Sequence, residues 1–87
     1  MATWSPSGGR VDRLRAVLGD VASLTVGEER AAALAVMALI DWWSGDQARC
    51  MRAADRALEA DGRSRLAALV GETAARGILP GWLREPR

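Results

Sequence analysis

The chain has no Lys, His, Tyr, Phe or Asn, and a single Cys, among its 87 residues. Each absence removes a chemistry. Without His, the His-dependent Ser and Cys triads cannot be built from one chain. One Cys and no His leave no ordinary zinc site, and one Cys excludes an intramolecular disulfide. Ser7-Gly8-Gly9-Arg10 lacks the motif of a phosphate-cradling loop, so no cofactor is expected. MATWSPSGGR holds no hydrophobic segment of signal-peptide type. The longest apolar run, residues 31–40, falls well short of the ~20 residues that cross a bilayer. The expected setting is a reducing cytoplasm, away from the membrane.

A strong excess of charge of either sign is also absent. The net charge is +1 and the pI about 8.0. Residues 1–45 carry four Arg against five acids, and residues 46–87 eight Arg against six. Neither half is a strong electrostatic lure of the kind nonspecific nucleic-acid binders present.

What remains is Ala, Arg, Leu and Gly, a composition that favours helix. Residues 1–9 read as a flexible arm rich in Pro, Gly and small polar residues. Trp4 stands out there as a residue that folds back on the domain, reaches a partner or stays mobile. Residues 10–83 read as one helical domain, and residues 84–87 as a frayed end. Within the domain, Val11, Leu14, Leu18 and Val21, with Val17 beside them, mark the inner face of a helix over 10–23. Thr25 and Glu28 have capping-box spacing. They predict a second helix over 26–43 whose decapeptide AAALAVMALI needs neighbours on at least two sides. Ser44-Gly45-Asp46 supplies a turn and an N-cap. A third helix, 46–61, presents Cys50, Met51, Ala54, Ala57 and Leu58, and Gly62 is placed to end it in the left-handed conformation. Ser64 caps a fourth helix, 64–76, with Leu66, Leu69, Val70 and Thr73 inward and Gly77 as its stop. Ile78 and Leu79 are expected to tuck beneath that end, and Pro80 to open a short turn bearing Trp82 and Leu83.

Gly45-Asp46, Ala57-Leu58 and Asp61 resemble the second half of a tetratricopeptide repeat. Leu34, Met37 and Ala38 then stand at its Trp, Leu and Gly positions. Cys50, Ala54 and Gly62 depart from its small Ala, its aromatic and its proline. The segment 31–80 is more closely similar to the C-terminal region of an actinobacterial family of unknown function. Trp42, Gly45-Asp46, Ala57-Leu58, Asp61, Leu66 with Leu69, and Gly77-Ile78-Leu79-Pro80 carry that likeness. The absence of Lys and Asn beside abundant Arg, Ala and Gly fits a GC-rich genome, as in actinobacteria and their phages. The implied architecture is all-α, a small four-helix domain built on one tetratricopeptide-like helical hairpin with flanking helices.

No catalytic constellation is expected, and the chain reads as a non-enzyme. Cys50 would need an electropositive, accessible setting to act as a nucleophile, and its helical face is apolar. Asp41 and Asp46 flank the elbow, where such acids cap helices or meet Arg more often than they share a cation or a proton. Successive helical residues diverge by ~100°, so Trp42 and Trp43 cannot both enter one core. The tetratricopeptide likeness implies a concave surface that includes Leu39, Trp42 and Trp43. The favoured function is noncatalytic protein interaction, with homodimerisation as one form of it, anchored on Leu39, Trp42, Trp43 and Trp82. The alternative is a small nucleic-acid-binding regulator using Arg49, Arg52 and Arg56 on the third helix, a stripe bordered by Asp55 and Glu59.

Overall fold

Alanine decides how the helices of this chain pack. The computed structural model describes residues 8–81. Among them the chain forms four helices, α1 (Gly8–Leu24), α2 (Gly27–Trp43), α3 (Gln47–Ala60) and α4 (Arg65–Ala75). Ten of the fourteen buried hydrophobic residues are Ala, and the largest fully buried apolar side chain is Leu34. Small side chains let helix backbones approach closely. The protein is accordingly thin, 16 Å along its shortest axis. The central helix α2 packs against all three others, whereas α1 touches only α2.

The turns follow local chemistry. At the end of α2, Gly45 adopts φ 85°. Its N–H donates to Trp42 O at 3.0 Å, and Asp46 N donates to Asp41 O at 2.9 Å. This is a Schellman motif, and it needs a residue that tolerates the left-handed region. The Asp46 side chain then accepts from Arg49 N at 3.0 Å and starts α3. Ser64 does the same for α4 by accepting from Ala67 N. Gly77, at φ 72°, ends α4 with a second Schellman pair to Ala74 O and Thr73 O. Two expected caps are absent. Gly62 is not in the left-handed region, and α3 ends instead on extended Asp61. The capping box at Thr25 and Glu28 does not form, because the Thr25 hydroxyl donates to Val21 O at 2.7 Å and closes the end of α1. Val26 takes the N-cap position of α2 without a side-chain bond.

The inner faces of three helices differ from the spacing of large aliphatic residues. In α1 the packed positions are Val11, Arg15, Leu18 and Ala22, while Leu14, Val17 and Val21 face solvent at 52%, 59% and 41% exposure. In α4, Ala67, Val70 and Ala74 are inside, and Leu66 and Leu69 are exposed. In α3, Ala53 takes the buried place expected for Met51. After α4, Ile78 and Leu79 are exposed and Pro80 is buried. The cause is shared. A close helix contact accepts Ala or Gly, and a Leu at the same position would push the backbones apart. Gly71 shows the limit, since a Cβ there would stand 3.1 Å from Ala54 Cβ.

Two outcomes test this packing. Gly19 lies inside α1 with nothing within 4 Å of an added Cβ, so Gly19→Ala should stabilise by ~0.5–1 kcal/mol through helix propensity. Gly71→Val, aimed at Ala54, should destabilise by ~1–3 kcal/mol. Urea unfolding followed by circular dichroism measures both.

Candidate functional site

The elbow places its acids in structural roles. Asp41 is buried to 1% exposure on α2. It receives Arg15 from α1 in a two-pronged contact, with Nε at 2.6 Å from Oδ1 and Nη2 at 3.3 Å from Oδ2. A paired guanidinium is what makes a carboxylate tolerable at this depth. Asp46 caps α3, and its other oxygen lies 3.5 Å from Arg49 Nε. The two carboxylates therefore serve α1 docking and helix initiation separately.

Cys50 is fully buried, with its Sγ 4.0 Å from Val70 O. Burial, followed by the nearby charges of Asp41 and Asp46, pushes its thiol up to about 11. A thiol held neutral is a poor nucleophile. Among the described residues, no group of three or more His, Cys, Asp or Glu is placed to hold a metal ion. The described clefts include a depression of about 450 Å³ lined by Gly27, Glu28, Ala60, Asp61 and Arg63. No nucleophile with an adjacent base stands in it.

The two Trp residues part company as the helical angle requires. Trp42 is half-buried, and its Nε1 donates to Ile78 O at 2.7 Å, fastening the segment after α4 to the end of α2. Trp43, with its ring centroid 6.3 Å from that of Trp42, is 37% exposed. Leu39 is 40% exposed and Val36 37%. Val36, Leu39 and Trp43 recur at i, i+3 and i+7, so they share one face of α2. The structure thus brings Leu39 and Trp43 together on an open face and assigns Trp42 to a structural bond. Trp82, like Trp4, lies outside the described residues.

Sequence spacing did not indicate how far this face extends. Helical angles place α1 and α4 on its two flanks, with Leu14, Val17 and Val21 turned toward it from α1 and Leu66 from α4. A shallow groove lined by Val36 and Leu66 marks the α4 border. The spacing of these α1 residues predicts a place in the core. Only the demand for Ala at the helix contacts shows that they point outward. On the far side of the molecule, Arg49, Arg52 and Arg56 are all exposed on α3, opposite its buried Cys50 and Ala residues.

The buried thiol gives a direct test. Native protein at pH 8 should react with a thiol reagent at least about a hundredfold more slowly than denatured protein. Because the folded thiol titrates near 11, above its ordinary value of 9.0, its contribution to stability is present below pH 9. That contribution is lost as pH rises toward 11. A Cys50→Ala variant should lose that part of the alkaline destabilisation, as read from thermal unfolding across the same pH range.

No curated protein and no solved structure matches the chain, and no helix among the described residues is long and apolar enough to cross a membrane. A family model does match, over residues 4–81, and its description is a domain of unknown function, DUF4192. With that span covering nearly the whole chain, the protein belongs to this family.

Proposed function

We propose that the chain is a noncatalytic protein-interaction module whose docking face is the open side of α2. The observation that carries this reading is the row Val36, Leu39 and Trp43, exposed on the central helix and flanked by exposed aliphatic residues of α1. Soluble monomers seldom expose contiguous apolar surface beyond a few hundred Å² without a use for it. Interfaces concentrate their energy in a few aromatic anchors within such surfaces. Trp43 is the anchor of this face and Leu39 its neighbour. Trp42 supports the face indirectly, by fixing the segment that follows α4. On this reading α2 and α3 form a tetratricopeptide-like hairpin whose concave side is the docking face, with α1 and α4 as its walls.

A second reading draws on the exposure of Arg49, Arg52 and Arg56 along α3. In it the chain binds the phosphate backbone of a nucleic acid. Asp46 lies 3.5 Å from Arg49 and lowers the charge available there, so the apolar face is favoured.

Capture from extract of the source cell, using immobilised wild-type chain beside Leu39→Asp and Trp43→Ala variants, separates the two readings. The interaction reading expects retained protein that is lost with either variant, a loss of about 2 kcal/mol or more for the Trp43 anchor. Retention unchanged by both variants would end it. Nucleic acid released by moderate salt and lost on changing all three Arg to Ala would instead support the α3 surface.

A further inference from the structure

Resting on this interaction reading, we propose that the partner on the open face is a second copy of the chain, docked about a two-fold axis with the two α2 helices antiparallel. Size is the first argument. Leu14, Val17, Val21, Val36, Leu39 and Trp43 are between 37% and 59% exposed. Together they present roughly 500 Å² of side-chain surface, about the apolar share of the ~800 Å² that each partner contributes to a standard interface. No charged residue interrupts α2 between Arg30 and Asp41. Arg30 turns away to bond Ala22 O, and Asp41 is buried.

The second argument is the placement of charge at the two ends of this face. Arg10 lies four residues before Leu14 on the same stripe of α1 and is exposed. Glu28 and Glu29 open α2 and are exposed; Glu29 lies seven residues before Val36 on the face itself, while Glu28 shares the groove at the α4 border with Asp61, Arg63 and Arg65. A two-residue link joins α1 to α2, so the helices run antiparallel. Arg10 therefore lies near the Trp43 end of the face, and the Glu pair lies near the opposite end. A two-fold axis perpendicular to α2 exchanges the ends, whereas one along α2 does not. With the α2 helices antiparallel, the Arg10 end of each copy meets the Glu28 and Glu29 end of the other, and the aliphatic centres meet in between. A parallel arrangement would set Arg10 against Arg10 and acid against acid. Charge at the rim thus selects the antiparallel register.

Multi-angle light scattering of the purified full chain across micromolar concentrations tests the proposal, with circular dichroism to confirm helicity. The expected result is a mass of two chains that falls to one for Leu39→Asp. Arg10→Glu alone, and Glu28→Arg with Glu29→Arg, should each raise the dimer dissociation constant about tenfold at low salt. Mixing the two charge-reversed proteins should restore association as a heterodimer. A single-chain mass at every concentration would overturn the proposal, as would a dimer indifferent to both Leu39→Asp and the charge reversals. If the chain is a monomer yet retains another protein through Leu39 and Trp43, only self-association falls. If it does neither, the interaction reading falls with it.

Discussion

Close approach of helix backbones across alanine is the constraint on which the rest of this structure depends. Ala31, Ala35 and Ala38 of α2, Ala53, Ala54 and Ala57 of α3, and Ala67 and Ala74 of α4 are all buried. A contact built from methyl groups leaves little space for a branched side chain, and among the described residues Leu34 and Val70 are the one Leu and the one Val that are buried. Leu14, Val17, Val21, Leu66 and Leu69 are turned outward. An alanine core also buries little area per residue, and the hydrophobic contribution scales with that area. The fold accordingly adds specific polar contacts: Trp42 to Ile78 O, Arg30 to Ala22 O, and Arg15 to Asp41.

The same constraint explains how much was legible in the sequence. Helix number and limits followed from punctuation, because Gly45, Asp46, Ser64 and Gly77 act through their own backbone conformation or a bond within three residues. The hairpin of α2 and α3 and the burial of Cys50 were legible for the same reason. Facing was much harder to read. Periodicity of large aliphatics identifies one stripe of α1, but it cannot say that a stripe of Arg15, Leu18 and Ala22 will be preferred by a neighbour that needs small residues and a guanidinium. Likewise the angle between Trp42 and Trp43 required that they separate. Which one turned inward depended on a carbonyl at Ile78, 36 residues away. Thr25 shows the local version of this problem, since its hydroxyl suits either helix end and the structure uses it for α1.

The Arg15–Asp41 pair has a wider reach than its single contact. It is the polar bond between α1 and α2 at the elbow end, and α1 has no other helix to lean on. Removing the guanidinium would strand a carboxylate that is 1% exposed, and breaking a buried pair from one side costs ~3–5 kcal/mol. That is a large fraction of the ~5–15 kcal/mol that holds a small domain together. Replacing both partners with apolar residues strands nothing and is far better tolerated. The charge pair therefore fixes where α1 sits more than it adds to total stability.

Where α1 sits decides whether the open face exists. Leu14, Val17 and Val21 on one side of Arg15, and Val36, Leu39 and Trp43 on the helix that holds Asp41, form one surface only while the two helices are clipped in register. A turn of slippage would move each α1 aliphatic by ~5.4 Å along α2 and carry Arg10 away from the Trp43 end. The aliphatic residues of the two helices would then no longer lie side by side in one surface. The alanine contacts that hold the core together turn the large side chains out. The buried salt bridge then arranges them, so the interior that specifies the fold also specifies which aliphatic residues stand together on the surface.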